Sequence, residues 1–288
     1  MLPRLGVLLA VVMWGVSFVA TKAAVAEIRP AALIFGRTGL GTALLVALLA
    51  ARGGGLVPPR DAWRGLLAMG FVGVAFHQML QAIALQSTSA VNTGWLIGLT
   101  PVWAAVFAAI RLREPLGRNK LAGLLLGFAG AGLVVTRGRL HGLLELPSTR
   151  GDLLILASSV NWAWYSSLGH SLLRRIGPQR ATAGAFFFGT LLLAPVVAAT
   201  GAWRDYAQLS PAGWVSLLFL GFGCSGLGYL FWYGALERIE LSRVAAFLYL
   251  EPLVTLAAAA FWLGEPIGLL TLAGGALLLT GVALVQRA

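Results

Sequence analysis

The chain has 288 residues, of which 59% are hydrophobic and only 11% are Asp, Glu, Lys or Arg, and its formal net charge is +11. A soluble domain carries roughly 25% charged residues to cover its surface, so this composition excludes a water-soluble globule. The basic residues lie in short gaps between apolar runs, which argues against a nucleic-acid-binding domain. The single cysteine, Cys224, excludes an intramolecular disulfide and a thiolate metal site, and we expect no cofactor.

Ten apolar runs of spanning length follow one another along the chain, at 5–26, 31–51, 65–86, 90–110, 121–137, 152–173, 180–200, 213–236, 244–263 and 267–286. An unpaired backbone amide is costly in lipid, so each run must form a helix or a barrel strand. Barrel strands alternate polar and apolar residues, and these runs do not. The predicted fold class is therefore all-α and integral to the membrane, with ten transmembrane helices.

The second half of the chain repeats the first. Shifting residues 63–134 by 151 positions gives 22 identities in 72 positions without a gap, and a shift of 148 aligns the residues before them. The paired residues include Trp63 and Trp214, Pro101 and Pro252, Gly123 and Gly274, Gly130 and Gly281, and, at the second shift, Trp14 and Trp162, Pro30 and Pro178, and Thr42 and Thr190. This pattern predicts two five-helix repeats, residues 1–137 and 150–288.

Because five helices is an odd number, the second repeat must enter the membrane from the opposite side. Inverted repeats around a central site are typical of secondary transporters. With the N-terminus inside, the inner segments hold 14 Lys and Arg residues and the outer loops hold 5. The positive-inside rule then places both termini in the cytoplasm of a bacterial-type inner membrane.

One motif leaves a membrane enzyme open as an alternative. Residues Gly223-Cys224-Ser225-Gly226 match the GxSG pattern of intramembrane serine proteases. Such a serine needs a general base, normally a histidine from a later helix. All histidines of this chain precede Ser225, which makes packing in a glycine-rich helix the favoured interpretation.

Ionisable groups inside lipid are expensive and are therefore functional candidates. His77 and Gln81 lie one helical turn apart and share a face, which favours a water-filled cavity over plain hydrogen bonding between helices. Glu251 precedes Pro252, with Phe247 one turn before it. Glu251 can carry a proton, bind a substrate amine, or anchor backbone groups that the proline leaves free.

Three further ionisable residues, Lys22, Arg37 and His170, lie nearer the ends of their runs. Long side chains there can reach the interface, so we expect structural roles for them.

Aromatic residues lie in the middle of several runs, beside small polar residues. Trp14 and Trp162 are equivalent in the repeat, so an inverted axis would place them on opposite sides of one centre. Rings around a cavity suit an aromatic or amphipathic solute through stacking and cation–π attraction. The predicted substrate-binding residues are Trp14, His77, Gln81, Trp95, Trp162, Tyr229, Phe247 and Glu251, and we expect no catalytic or metal-binding residue.

These features together resemble the EamA-type drug/metabolite transporters over nearly the whole chain. The motifs that carry the resemblance are Trp14-Gly15-Val16-Ser17-Phe18, Arg37, a proline inside each fourth helix, the Glu114-Pro115 and Glu265-Pro266 pairs, which we interpret as turns and caps, and a glycine-rich fifth helix. The resemblance implies a bundle in which helices 1, 3, 4, 6, 8 and 9 surround a central cavity, and export of small metabolites. The mid-span aromatics make the chain similar to aromatic amino acid exporters of that family, although His77 and Gln81 are polar where an aromatic lining would be expected.

Small multidrug pumps of the same superfamily use a glutamate in helix 1 for proton coupling. No acidic residue lies in the membrane part of the first run, so this mechanism is not carried over. We expect an inner-membrane exporter or facilitator of amino acids, including aromatic or hydrophobic ones, that works by alternating access as a monomer or homodimer in the lipid bilayer. Proton coupling stays open, and the rival substrate class is cationic amphiphiles.

Overall fold

The computed structural model describes residues 2–53, 55, 57–111, 117–137, 147–236, 244 and 246–287. All regular elements within these ranges are helical. We number ten helical segments in chain order: α1 (Leu2–Val25), α2 (Pro30–Ala51), α3 (Arg60–Leu85), α4 (Ala90–Ile97 and Thr100–Arg111), α5 (Arg118–Thr136), α6 (Pro147–Ile176), α7 (Pro178–Thr200), α8 (Pro211–Leu218, Phe219–Gly228 and Tyr229–Leu236), α9 (Ala246–Leu250 and Glu251–Leu263) and α10 (Leu269–Arg287).

Length and composition allow seven of these helices to cross a membrane, counted over the described residues: α1, α2, α3, α4, α5, α7 and α8. Two shorter apolar helices, Phe247–Leu263 and Leu269–Val285, follow in α9 and α10. The all-α membrane class is thus confirmed.

The fourth helix of each repeat is interrupted before its proline, which corrects the continuous runs expected there. In α4 the first part ends at Ile97 and the second begins at Thr100, just before Pro101. In α9 a 3₁₀ turn, Ala246–Leu250, precedes the α-helix that begins at Glu251. Proline has no N–H and its ring clashes with the preceding turn, so it fits the first turn of a helix and kinks or breaks a helix interior. Phe247 therefore lies in the 3₁₀ turn and not one α-helical turn before Glu251.

Two π-helical segments occupy equivalent places in the two repeats, Gly70–Phe76 in α3 and Phe219–Gly228 in α8. A π-helical turn changes the hydrogen-bonding pattern of the backbone and is frequent at functional sites. Side chains of other helices bind carbonyls in both segments: Asn161 Nδ2 donates to Val72 O at 2.8 Å, and Trp14 Nε1 donates to Cys224 O at 3.1 Å. The segments thereby attach α6 to α3 and α1 to α8.

Helices α5 and α10 cross through equivalent glycines in opposite directions. A methyl group built at Gly123 would lie 2.6 Å from the carbonyl oxygen of Gly281, and one built at Gly130 would lie 2.5 Å from that of Gly274. Gly130 follows Gly123 along α5, whereas its contact Gly274 precedes Gly281 along α10. The two helices therefore run antiparallel. Each contact pair is the repeat image of the other, since Gly123 corresponds to Gly274 and Gly130 to Gly281.

The second helix of each repeat packs on the third helix of the other in the same way. A methyl group built at Gly41 of α2 would lie 2.7 Å from Ser225 Cβ of α8. At the equivalent place, one built at Gly189 of α7 would lie 2.7 Å from Val74 Cβ of α3. Helix α2 of the first repeat therefore packs on α8 of the second, and α7 of the second repeat packs on α3 of the first.

One end of the bundle, which we call the Arg29 end, is held by polar contacts between helix termini. The Glu265 carboxylate accepts hydrogen bonds from Ala90 N at 2.9 Å and Val91 N at 3.0 Å, at the start of α4, and lies 3.8 Å from Lys22 Nζ. Anions at a helix N-terminus satisfy its free N–H groups. The interpretation of Glu265 as a cap is thus confirmed, whereas the equivalent Glu114-Pro115 lies outside the described residues.

A second contact at this end joins the α1–α2 connection to the turn between α7 and α8. Arg29 Nη2 lies 2.6 Å from Asp205 Oδ1, and Arg29 Nε donates to Asp205 Oδ2 at 2.8 Å. The hydrogen bond from Arg29 lowers the pKa of Asp205 below its usual value. The neighbouring Tyr206 hydroxyl donates to Ala32 O at 2.7 Å, and burial raises its pKa to about 12. These bonds clamp the start of α2 against the other repeat.

Candidate substrate site

His77, Gln81 and Trp162 form one polar–aromatic group between α3 and α6. The imidazole is 7% exposed, and its ring centre lies 4.8 Å from that of Trp162. Gln81 Nε2 lies 3.2 Å from His77 Nε2, and Ser158 Oγ lies 2.9 Å from His77 Nδ1. Since an amide nitrogen only donates, His77 Nε2 accepts, and Nδ1 carries the proton that is donated to Ser158. The prediction that His77 and Gln81 share a face is confirmed, and Ser158 joins them from α6.

Trp14, Tyr229 and Trp232 form a second, aromatic group between α1 and α8. The Trp14 ring centre lies 5.4 Å from that of Tyr229 and 5.3 Å from that of Trp232. The indole N–H of Trp14, its only side-chain donor, donates a hydrogen bond to the Cys224 carbonyl oxygen. In this conformation its indole can meet a ligand through its faces and edges only, which favours apolar or cationic groups.

The two groups are repeat images with opposite chemistry. Trp162 corresponds to Trp14, and the α3 positions 77, 78 and 81 correspond to 228, 229 and 232 of α8. The α3 positions carry His, Gln and Gln, whereas the α8 positions carry Gly, Tyr and Trp. Of the two equivalent tryptophans, Trp162 therefore has polar neighbours and Trp14 has aromatic ones.

A shared apolar cluster brings the two groups near each other. Tyr165, Phe186 and Val74 belong to one buried cluster, and both Trp162 and Tyr229 pack against it. The ring centre of Tyr165 lies 5.0 Å from that of Trp162, and the ring centre of Phe186 lies 5.1 Å from that of Tyr229. The polar and the aromatic group are therefore connected through one packed apolar cluster.

Glu251 lies beside the first helix, close to the aromatic group. A methyl group built at Gly15, the neighbour of Trp14, would lie 2.9 Å from the Glu251 carbonyl oxygen. Thr255, one turn after Glu251, donates to Gly15 O at 2.8 Å. In the described part of the chain the half-buried Glu251 carboxylate has no hydrogen bond or ion pair.

The two other predicted site residues lie elsewhere. Trp95 is 3% exposed and packs against α10, where a methyl group built at Gly275 would lie 2.5 Å from its ring. Its buried indole N–H has no hydrogen-bond partner among the described residues. Phe247 packs with Trp232 against a small cluster that contains Val7 and Val11. Trp95 is a core residue in this conformation, and Phe247 reaches the aromatic group only through Trp232.

Arg37 and Ser225 form a buried pair that the sequence analysis did not place together. Arg37 is only 8% exposed, and its Nε donates to Ser225 Oγ at 3.0 Å. The expectation that Arg37 reaches the interface is therefore wrong, because its side chain turns into the bundle. The hydroxyl of Ser225 faces a guanidinium, which cannot act as a general base. The side chain of His170, which was also expected near a helix end, lies outside the described residues.

A buried carboxylate was also missed. Asp152 of α6 is fully buried and accepts hydrogen bonds from Asn92 Nδ2 at 3.0 Å and from Thr88 Oγ1. Asp152 lies at the very start of the sixth apolar run, where nothing in the sequence separates a buried carboxylate from an interfacial one. These bonds tie α6 to the start of α4 at the Arg29 end.

Comparison with known proteins identifies the family. The model of the EamA-like transporter family matches residues 2–136 and again residues 149–287. An uncharacterized transporter of Archaeoglobus fulgidus is 32% identical over 96% of this chain and 94% of its own length. A probable terminal-alkyne amino-acid exporter of Streptantibioticus cattleyicolor is 30% identical over 97% of this chain and 91% of its own length. A probable amino-acid metabolite efflux pump of Salmonella typhimurium is 28% identical over 96% and 91%.

Helical spans, a twofold match to one family model and full-length relatives named as transporters agree with one another. The chain is a multi-pass membrane protein that belongs to the EamA-like transporter family.

Proposed function

We propose that this protein exports amino acids, including aromatic and hydrophobic ones, across the inner membrane. The observation that carries the proposal is the pair of repeat-equivalent tryptophans, Trp14 and Trp162, with aromatic neighbours on one side and His77 and Gln81 on the other. An amino acid has a polar backbone and, in this substrate class, an apolar side chain. His77 and Gln81 would bind the polar backbone of the substrate, and the aromatic residues around Trp14 would bind its apolar side chain.

The proposed mechanism is alternating access by two inverted five-helix repeats, residues 1–137 and 150–288. The antiparallel crossing of α5 and α10 supports it, because equivalent helices of inverted repeats run in opposite directions. If the two repeats exchanged their conformations, the centre between Trp14 and Trp162 would open to the other side. The family matches at residues 2–136 and 149–287 agree with this division.

The proposed orientation has both termini in the cytoplasm, with ten crossings. It is supported by the excess of Lys and Arg, 14 against 5, in the segments that would then be inside. The Arg29 end would face the outside of the cell. The contacts of Glu265 and Arg29 would then close the outer side of the site.

A second substrate class, cationic amphiphiles, is favoured by one observation. The Glu251 carboxylate has no partner in the described residues, and the Glu251 backbone packs on Gly15, the neighbour of Trp14, whose ring can attract cations. The same carboxylate would serve a coupling proton. Substrate choice and coupling therefore need separate measurements.

The test is flux into proteoliposomes of purified protein with labelled L-phenylalanine, L-leucine and tetraphenylphosphonium. We expect saturable amino-acid flux above that of protein-free liposomes. Flux should fall about ten-fold in Trp162→Ala, which removes one aromatic contact surface. Trp164→Ala is the matched control, because this tryptophan of the same helix is 39% exposed and contacts Phe107 instead.

Absence of amino-acid flux would refute the proposal, and flux of tetraphenylphosphonium alone would replace it with the cationic class. Equal loss in Trp162→Ala and Trp164→Ala would refute the assignment of the site. A pH gradient imposed across the liposomes tests coupling. If flux does not respond to the gradient, Glu251 has no proton role.

A further inference from the structure

A cleft opens between α2, α7 and α8 at the end of the bundle opposite the Arg29 end. Its volume is about 310 Å³, and leucines from α2 and α8 form most of its wall, including Leu45, Leu49 and Leu230. Arg52 and Gln179 lie at its mouth, at the ends of α2 and α7, and Arg52 Nη1 donates to Gln179 Oε1 at 3.3 Å. We call this space the Arg52 cleft.

The Arg52 cleft leads to the aromatic group of the candidate site. Leu45 lies two helical turns before Arg52 on α2, which places it about 10 Å deeper in the bundle. Tyr229 lines the same cleft, and its ring centre lies 5.4 Å from that of Trp14 and 5.1 Å from that of Phe186. Tyr229 therefore connects a cleft at the surface with the tryptophan of the aromatic group.

The repeat builds the equivalent interface at the Arg29 end, from α7, α2 and α3. In this interface Val197 corresponds to Leu49, and Gln78 corresponds to Tyr229. Val197 and Gln78 are each only 4% exposed, whereas Leu49 and Tyr229 are half-buried. The same interface is therefore more open at the Arg52 cleft than at the Arg29 end.

Two side chains cover the equivalent interface at the Arg29 end. Arg29 Nη1 donates to Thr200 O at 2.8 Å, at the end of α7. The Tyr206 hydroxyl donates to Ala32 O at 2.7 Å, at the start of α2. The residue equivalent to Arg29 in the second repeat is Gly177, which has no side chain to form such a bond. The difference between the two ends is therefore encoded in the chain.

Gln78 has a buried acceptor that this conformation leaves unused. Its Oε1 is fully buried and has no hydrogen-bond partner among the described residues. A buried acceptor without a donor is costly, so it calls for an explanation. If the repeats exchanged conformations, Gln78 would take the place that Tyr229 has now. Its Oε1 would then line an open cleft, where water or the substrate can donate to it.

We propose that the Arg52 cleft is the entrance through which an aromatic or hydrophobic amino acid reaches Trp14 from the cytoplasm. Its leucine wall suits an apolar side chain, and the ring of Tyr229 can pack against an aromatic one. The equivalent interface at the Arg29 end, which contains Gln78, is then the exit. This inference rests on the proposed function and its orientation, and adds the path of the substrate to the site.

The experiment places single cysteines in a protein that carries Cys224→Ala. Leu49→Cys puts a thiol into the cleft, and Ala50→Cys is the matched control, because this next residue is exposed and is not part of the cleft wall. Inside-out and right-side-out membrane vesicles are treated with MTSES, an anionic thiol reagent that does not cross membranes. The protein is then purified, and its flux of labelled L-phenylalanine is measured in proteoliposomes.

We expect MTSES to modify Leu49→Cys from the cytoplasmic side and to abolish its flux, because a thiol reacts as the water-exposed thiolate and the added sulfonate would fill the cleft. An excess of unlabelled L-phenylalanine during treatment should slow this modification. Treated Ala50→Cys should keep the flux of the untreated protein.

A second test needs no cysteine. Leu49→Trp should lower the flux about ten-fold, because an overfilled cleft leaves no room for the substrate side chain. Ala50→Trp is its control and should keep the flux. This inference alone would be overturned if Leu49→Cys did not react, reacted only from the outer side or kept its flux after modification, or if Leu49→Trp transported like Ala50→Trp. Absence of L-phenylalanine flux in the wild type would overturn the proposed function and this inference together.

Discussion

Thr42 of α2 and Thr190 of α7 contact each other and are the same residue of the repeat. Their hydroxyl oxygens lie 3.5 Å apart, and Thr190 Oγ1 also donates to Thr38 Oγ1 at 2.9 Å. A residue that contacts its own repeat image must lie beside the axis that relates the two repeats. The pseudo-twofold axis of the proposed inverted repeat would therefore pass between α2 and α7.

The position of this axis gives the first prediction. Cysteines introduced by Thr42→Cys and Thr190→Cys should cross-link under mild oxidation in a protein whose Cys224 has been replaced. Points near the axis move least when the repeats exchange conformation, so the cross-linked protein should keep more than about half of its flux. Thr42→Cys alone is the control. Failure to cross-link, seen by mass spectrometry, would contradict the axis, and a complete block of flux would contradict the rocking motion.

The crossing of α5 and α10 gives the second prediction. Gly130→Ala would place a methyl group 2.5 Å from the Gly274 carbonyl oxygen, a backbone atom that cannot move aside alone. Such overpacking costs roughly 1–3 kcal/mol. Gly132→Ala is the matched control two residues away, because no atom lies within 4 Å of a methyl group there. SDS titration in mixed micelles measures the free energy of unfolding, and equal values for both variants would contradict the close crossing.

The cap of α4 gives the third prediction. Glu265→Ala removes the acceptor of the Ala90 and Val91 N–H groups and the partner of Lys22. Loss of a helix cap costs about 0.5–2 kcal/mol, so the free energy of unfolding should fall by this amount. The control is Asp61→Ala, which breaks an exposed pair with Arg175 and should cost less than about 0.5 kcal/mol. A Glu265→Ala protein as stable as the control would show that the cap contributes nothing.

The pair of Arg29 and Asp205 gives the fourth prediction, which concerns pH. Because Arg29 lowers the pKa of Asp205 in the folded protein, the pair stabilises the fold above the ordinary pKa of aspartate. This contribution is lost as pH falls through the lowered pKa. Asp205→Asn should therefore reduce the unfolding temperature at pH 7, and the difference from the wild type should shrink towards pH 3. Tryptophan fluorescence measures the unfolding temperature of both proteins. A difference that stays constant across this pH range would contradict the assignment.

The positions of the helices could largely be predicted from the sequence. The length of an apolar run depends on the thickness of the lipid bilayer, and the paired residues at fixed offsets result from duplication. Both properties can be read from consecutive residues along the chain. The breaks before Pro101 and Pro252 were missed, because a hydropathy run does not register a lost hydrogen bond. The π-helical segments in α3 and α8 were missed for a similar reason, because hydropathy does not report which backbone groups pair with each other.

The side chains of the site were predicted less well. His77 and Gln81 were recognised because polar residues are rare within an apolar run. Trp95 was expected beside them, but tryptophan is common both in cavities and in cores, and only the contact with Gly275 places it in the core. The expected position of Arg37 rested on its distance from the end of its apolar run. This distance indicates the depth of the residue in the membrane but not the direction in which its side chain points.

The sequence by itself determined that this protein lives in a membrane, that it is helical and that it repeats itself, because these properties follow from the chemistry of consecutive residues and of equivalent positions. The tertiary structure decided which polar groups meet. Arg37 and Ser225 are separated by 188 positions along the chain, and their 3.0 Å contact exists only because α2 of one repeat packs on α8 of the other. Partner choice inside a bundle depends on which helix faces touch, and that is set by packing across the repeats.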